Sequence, residues 1–153
     1  MHHSFPQQII AEICMAAADL VWSRVFKEYP DIKVALSEGG TGWIPYFLDR
    51  LDRTYDMHHL WTGQDFGNEL PSDIFRRHIL TCFIADPIGI KLRHEIGVDH
   101  VMWGSDFPHV VTYWPNSRQV LDQQMAGVPA EERRKMEAAN ILDFLGVTQA
   151  EGE

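Results

Sequence analysis

The sequence has little cysteine, no basic run and no long apolar stretch, and each of these absences excludes a class of protein. The two cysteines, Cys14 and Cys82, are too few and too far apart for a disulfide scaffold or a Cys-x-x-Cys zinc site. A formal net charge of −9 without any Lys/Arg run argues against nucleic acid or an anionic membrane surface as a partner. No apolar stretch reaches the roughly 20 residues of a membrane-spanning helix, and no signal-peptide pattern begins the chain. We therefore expect a cytoplasmic protein.

The composition is close to globular averages, with 45% hydrophobic and 23% charged residues. A chain of 153 residues can bury a core of its own, so we expect residues 1–153 to form a single domain. Short, continuous apolar runs predict strands at residues 31–36, 79–84 and 101–103. Helical periodicity predicts helices before, between and after them, the first over residues 5–29.

Strands that are apolar on both faces and alternate with helices predict a parallel sheet covered by helices. An open doubly wound sheet and a (β/α)8 barrel both satisfy this order of elements. A complete barrel needs about 250 residues, so three strands can form only part of one.

An acidic residue follows each predicted strand, namely Glu38, Asp86 and Asp106. In both architectures function gathers at the carboxyl ends of the strands, where the loops face a common crevice. Carboxylates there are what a divalent metal site or a general acid–base pair requires. For Asp86 we favour a helix cap, because Asp-Pro ahead of a helical pattern is typical of one.

Asp106 is the strongest candidate, because no helix is yet available for it to cap. Its carboxylate could bind a metal or accept a proton from a metal-bound water. The alternative is an Asx turn that merely organises the loop of residues 106–108. His109 follows in the same loop. It could bind substrate, hydrogen-bond to a carboxylate, or simply be solvated.

Glu38 is followed by two glycines, directly after the first predicted strand. Glycines let a backbone approach a ligand closely, and a partly desolvated carboxyl acquires a raised pKa suited to base catalysis. The alternative is that the glycines only form a tight turn and Glu38 faces solvent.

The other histidines are expected to play no part in catalysis. His78 is predicted on a helix or loop surface, and His94 on the buried side of its helix. His2 and His3 belong either to the native chain or to a purification tag.

Four segments of the chain together resemble a known family. They are residues 26–40 (FKEYPDIKVALSEGG), Trp43-Ile44-Pro45 with Arg50, residues 104–109 (GSDFPH) and residues 140–146 (NILDFLG). The first two segments resemble the sixth-strand region of the amidohydrolase superfamily. The third resembles its eighth-strand signature, and the fourth its closing helix. The branch that they resemble is the one related to aminocarboxymuconate-semialdehyde decarboxylase.

The resemblance implies a (β/α)8 barrel that holds one divalent metal, usually zinc. Members decarboxylate or hydrolyse small carboxylated or ring-cleaved substrates. The resemblance implies that Asp106 binds the metal or shares a proton with its water. Glu38 stands where the family commonly has a histidine that acts as a base or holds substrate. His109 and Trp43 are the expected substrate contacts.

The family's metal-binding histidines of the first and fifth strands have no counterpart in this chain. The resemblance therefore implies strands six to eight of a barrel and an incomplete set of metal ligands. On this hypothesis the parent protein is a metal-dependent decarboxylase or hydrolase, and the isolated chain is expected to be inactive. The alternative is a non-catalytic half-barrel, which forms a homo-oligomer or pairs with another chain to cover its open sheet edges.

Overall fold

The computed structural model of the chain describes residues 6–147. Within this range a three-stranded parallel sheet has the order β1-β2-β3. Its strands are β1 (Val34–Leu36), β2 (Ile79–Phe83) and β3 (Val101–Trp103). The predicted parallel sheet is therefore confirmed. His2 and His3 lie outside the described residues.

Helices precede, connect and follow the strands. They are α1 (Pro6–Trp22), α2 (Val25–Glu28), α3 (Ile44–Thr62), α4 (Pro71–His78), α5 (Pro87–Lys91), α6 (Arg93–Ile96), α7 (Ser117–Gln124), α8 (Ala130–Arg134) and α9 (Asn140–Phe144). A 3-10 helix (Val98–His100) leads into β3, and a π-helical turn (Lys135–Ala139) joins α8 to α9. Among residues 6–147, no helix has both the length and the apolar character needed to cross a membrane.

The two faces of the sheet pack against different parts of the chain. Side chains alternate between the faces along each strand. Ile79, Phe83 and Val101 belong to the main core beneath the helices, and each is at most 2% exposed. Leu80 and Cys82 alternate with them and lie on the other face.

Helix α9 covers part of this second face. Ile141 and Phe144 pack against the small buried cluster that includes Leu80. Asn140 fixes the helix to the sheet, because its Nδ2 donates hydrogen bonds of 2.7 Å to the carbonyl oxygens of Val98 and Val101. One side-chain amide group therefore joins α9 to the start of β3 and to the residues before it.

The prediction of a single helix over residues 5–29 is wrong, because α1 ends at Trp22 and α2 begins at Val25. Ser23 lies at the break. Its Oγ donates to the carbonyl oxygen of Leu20 at 2.8 Å and accepts from the N–H of Val25 at 3.2 Å. A serine hydroxyl that bonds nearby backbone in this way competes with the helical ladder.

Strand β1 is shorter than predicted, because residues 29–32 form a turn. The turn carbonyl of Ile32 accepts a 2.7 Å hydrogen bond from Nδ1 of His78. His78 is therefore buried, and its prediction as a surface residue is wrong. The prediction for His94 is wrong in the opposite sense, because its side chain is 61% exposed and pairs with Glu132 on α8.

Candidate active site

The carboxyl ends of β1 and β3 bring Glu38 and Asp106 to the same edge of the sheet. In the parallel register, Trp103 at the end of β3 pairs with Phe83 at the end of β2. Leu36 at the end of β1 pairs with Thr81, two positions before the end of β2. Glu38 and Asp106 follow directly beyond β1 and β3. Their backbones therefore leave the sheet in the same direction.

Cys82, on the strand between β1 and β3, is influenced electrostatically by both carboxylates. Burial raises the pKa of Cys82, and the negative charge of Asp106 raises it further. The carboxylate of Glu38 also raises this pKa, whereas the backbone N–H of Glu38 lowers it, and the result is about 11. Two carboxylates whose charges both reach one sulfur lie near each other at this edge of the sheet, and this edge is the candidate active site.

Asp106 forms a pair with a histidine. Nδ1 of His109 donates a hydrogen bond of 2.8 Å to Oδ2 of Asp106. The carboxylate side chain is 21% exposed and the imidazole side chain 54%. The Asx turn considered above does not form, because the side-chain oxygen would need the N–H of Pro108, and proline has none. The carboxylate is therefore oriented by a side chain rather than used to shape the loop.

Glu38 and Asp106 both have left-handed backbones, with φ values of 67° and 53°. This conformation is unfavourable for residues other than glycine and occurs often at functional sites. The Glu38 residue itself is exposed. Of the two alternatives for Glu38, the described residues give the solvent-facing turn rather than the desolvated cleft. Any desolvation of its carboxyl has to come from substrate or from polypeptide beyond residues 6–147.

Asp86 caps helix α5 as expected, because its Oδ1 accepts from the N–H of Gly89 at 2.8 Å. Its other oxygen, Oδ2, lies against the loop that follows β1. There it accepts from the N–H groups of Thr41 and Gly42 at 2.6 and 2.8 Å. One carboxylate therefore ties together the loops that follow β1 and β2.

Trp43 stands at the end of the same loop and supports it from the other side. Its indole Nε1 lies 3.1 Å from the carbonyl oxygens of both Gly39 and Gly40. The ring also packs edge-on against Phe47. Contacts of Trp43 and His109 with substrate stay predictions.

Cys82 is the site residue that the sequence reasoning missed, because no histidine lies near it in the chain. The signal was its alternation with Phe83 on a buried strand, which puts it on the second face of the sheet. Gly104 is the other indication, because a Cβ there would come within 3.0 Å of the Cys82 sulfur. A glycine at this point gives the thiol its space.

A divalent metal needs more ligands than this arrangement offers. Among residues 6–147, no group of three or more His, Cys, Asp or Glu side chains is placed to hold a metal ion. Catalytic zinc sites usually have three protein ligands and structural sites four. The described residues therefore do not fit, by themselves, the metal that the family resemblance implies.

Comparison with known proteins gives a family and several relatives. The family described as "Amidohydrolase" matches residues 4–147. The 6-methylsalicylic acid decarboxylase of Penicillium expansum is 25% identical over 134 residues, which are 84% of this chain and 39% of that protein.

Solved structures are similar in the same way. The 5-carboxyvanillate decarboxylase of Sphingomonas paucimobilis superposes with a TM-score of 0.71 at 21% identity, covering 88% of this chain and 39% of that one. A dihydroxybenzoic acid decarboxylase of Polaromonas sp. JS666 superposes with a TM-score of 0.67 at 19% identity, covering 90% of this chain and 41% of that one. Its structure was solved with manganese and the inhibitor 2-nitroresorcinol. The chain spans about two fifths of the length of these relatives. Its α/β fold with a small parallel sheet thus matches part of a larger barrel.

Proposed function

Because the chain belongs to the amidohydrolase family, we propose that it forms part of the active site of a metal-dependent decarboxylase or hydrolase. The observation that supports this proposal is that Glu38 and Asp106 follow two strands of one parallel sheet at the same edge, on either side of β2. Decarboxylation of a small carboxylated aromatic compound is the first reaction to test, because the relatives described above are decarboxylases of such compounds. On this proposal β1, β2 and β3 correspond to strands six, seven and eight of a barrel, and α9 to its closing helix.

The pair of Asp106 and His109 suits proton handling. A decarboxylase has to supply a proton to the carbon that loses carbon dioxide. Because Nδ1 of His109 donates to Asp106, the carboxylate fixes the ring orientation and leaves Nε2 for a substrate. Glu38, on the neighbouring loop, is a second group that can take up or release a proton. We assign the two carboxylates to catalysis and His109 to substrate binding.

The metal in this proposal is a divalent ion, to which Asp106 contributes one ligand. Manganese is the first ion to test, because the Polaromonas relative was solved with it, and zinc is the second. The other ligands have to come from additional polypeptide, of the same protein or of another chain, since the described residues supply too few.

A non-catalytic half-barrel is the second candidate, and the loop that follows β3 favours it. Large apolar side chains are exposed on this loop, namely Phe107, Val110, Val111, Tyr113 and Trp114. Exposed apolar groups gathered in one segment are typical of a surface that another chain covers. On this reading the chain pairs with itself or with another protein and performs no reaction.

The experiment that separates the two candidates begins with the coding sequence upstream of Met1. We expect an in-frame segment that encodes a His-x-His pair after a short apolar strand. The complete reading frame, expressed with manganese or zinc, should bind metal and release carbon dioxide from hydroxybenzoates or hydrolyse a related ester or amide. Asp106→Asn should lower turnover at least a hundredfold, whereas Asp56→Asn, an exposed change on α3, should not.

Two outcomes would overturn the catalytic proposal. One is a complete protein that binds no metal and shows no turnover with or without added metal. The other is an active protein in which Asp106→Asn behaves like Asp56→Asn. In the first case, a defined oligomeric mass of the purified chain by light scattering would favour the half-barrel.

A further inference from the structure

Oδ2 of Asp86 is a shared acceptor for the loop that carries Glu38. It accepts from Thr41 N–H at 2.6 Å, Gly42 N–H at 2.8 Å and the Thr41 hydroxyl at 3.2 Å. These donors lie about 45 positions earlier in the chain. Hydrogen bonds to a charged acceptor are stronger than neutral ones. The carboxylate therefore holds a loop that is distant from it in the sequence.

The backbone approaches this carboxylate closely at two glycines. A Cβ on Gly89 would lie 1.9 Å from the Thr41 hydroxyl oxygen and 2.7 Å from Oδ2 of Asp86. A Cβ on Gly42 would lie 3.2 Å from Oδ1 of Asp86. Thr41 is fully buried. The two glycines thus let the loop and the start of α5 come close together around Asp86.

The backbone of Glu38 needs such support. Its φ of 67° is a conformation that a non-glycine residue keeps only when the surroundings impose it. Trp43 binds two carbonyl groups of the loop, and Asp86 binds two N–H groups. The loop is therefore held through both kinds of backbone group.

The same hydrogen-bond network extends to the segment that follows β3. The N–H of Asp86 donates to Oε1 of Gln124 at 2.7 Å. Gln124 ends helix α7, which follows the loop that contains Asp106. Asp86 thus connects, directly or through one side chain, the segments that follow all three strands.

From these contacts we infer that Asp86 is a positioning residue, which holds the loop of Glu38 at the edge of the sheet where Asp106 also lies. The inference rests on the proposed function, because it gives Glu38 a place in that site. Asp86 itself touches neither substrate nor metal in this account. Its effect passes through the backbone of residues 38–42.

Asp86→Ser tests the inference, because serine caps helices about as well as aspartate but is too short to reach Thr41. The matched control is Asp52→Ser, which removes a comparable bond between α3 and α4, where the carboxylate of Asp52 accepts from the N–H of Ser72. The measurements on the full chain are amide hydrogen exchange and the NMR scalar coupling that reports φ of Glu38.

In Asp86→Ser we expect amide exchange of Thr41 and Gly42 to rise at least tenfold, because each loses a hydrogen bond to a charged group. We expect the scalar coupling of Glu38 to show that its φ has left the left-handed region. Exchange at Gly89 should stay within about threefold, since the cap remains. Asp52→Ser should change none of these readouts.

The inference is wrong if the amides of Thr41 and Gly42 exchange at the wild-type rate in a folded Asp86→Ser protein. It is also wrong if these amides exchange faster but Glu38 keeps its φ. Should Asp86→Ser fail to fold, Thr41→Val removes only the hydroxyl bond. It should then accelerate exchange at Gly42 by a smaller factor, and an unchanged rate would count against the inference.

Turnover of the complete metal-loaded protein separates this inference from the proposed function. If the wild-type protein is active, Asp86→Ser should lower kcat at least tenfold with KM within about threefold, and unchanged kcat would overturn the positioning role. If the wild-type protein is inactive, the proposed function fails. The exchange and coupling data would still decide whether Asp86 holds Glu38.

Discussion

Asn140 offers a quantitative test of how the chain closes on its sheet. Its amide nitrogen donates to two backbone carbonyl groups, those of Val98 and Val101, and the residue is 8% exposed. Asn140→Ala removes both donors and leaves two acceptors with little access to water. A neutral hydrogen bond contributes about 1 kcal/mol, and a buried group left unsatisfied costs about 1–3 kcal/mol.

We therefore expect Asn140→Ala to lower the free energy of unfolding by about 2–4 kcal/mol. For a chain of this size that corresponds to a fall in Tm of roughly 5–15 °C. Urea titration followed by circular dichroism measures the first quantity, and a thermal scan measures the second. The protein should stay folded at low temperature, since the main core on the opposite face of the sheet is untouched.

The matched control is Asn116→Ala. Asn116 is exposed at the start of α7, and its side chain makes no capping hydrogen bond. The same substitution there should change the free energy of unfolding by no more than about 0.5 kcal/mol. Equal effects of the two substitutions would refute the reasoning, because the loss would then be unrelated to the two carbonyl groups.

Three further predictions concern packing, pH and thiol chemistry. Gly89→Ala should lower the free energy of unfolding by about 3 kcal/mol in a urea titration, because its Cβ would overlap the Thr41 hydroxyl. Burial lowers the pKa of His100. Its contribution to stability is therefore complete above the unfolded-state pKa of about 6.5 and is lost as pH falls through the folded-state pKa. His100→Gln should remove this part of the decline in unfolding free energy between about pH 7.5 and about pH 5. At about pH 8 a pKa of about 11 leaves roughly one Cys82 thiol in a thousand ionised. Peptide mass spectrometry should then find Cys82 alkylated more slowly than the less buried Cys14, and the reverse order would contradict the burial of Cys82.

Much of the fold could be predicted, because buried strands and helix faces produce regular patterns of apolar residues in the sequence. The run at residues 101–103 is a strand with the predicted bounds, and the run at 79–84 is a strand one residue shorter. The errors arise where a distant partner decides the outcome. The buried His78 hydrogen-bonds to a carbonyl group 46 positions away, and the exposed His94 pairs with Glu132, 38 positions away. No local pattern carries such information.

The same division applies to the candidate site. Glu38 and Asp106 could be proposed from the rule that function gathers at the carboxyl ends of parallel strands. The cap at Asp86 could be predicted too, because Asp-Pro before a helix is a local signal. Its bond to Thr41 could not be predicted, since it joins two loops that become neighbours only when β1 pairs with β2. Cys82 was missed for a similar reason, because its role depends on two carboxylates that are distant in the sequence and that both raise its pKa.

The central claim is that the carboxylates of Glu38 and Asp106 lie near each other at one edge of the sheet, and the pKa of Cys82, on the strand between β1 and β3, tests it most directly. The pH dependence of Cys82 alkylation should be measured in the wild type, in Asp106→Asn, in Glu38→Gln and in the distant control Asp56→Asn. We predict that Asp106→Asn and Glu38→Gln each lower the pKa of Cys82, because both carboxylates raise it, and that Asp56→Asn leaves it unchanged. A Cys82 pKa that responds to only one of the two carboxylates, or to neither, would contradict the account.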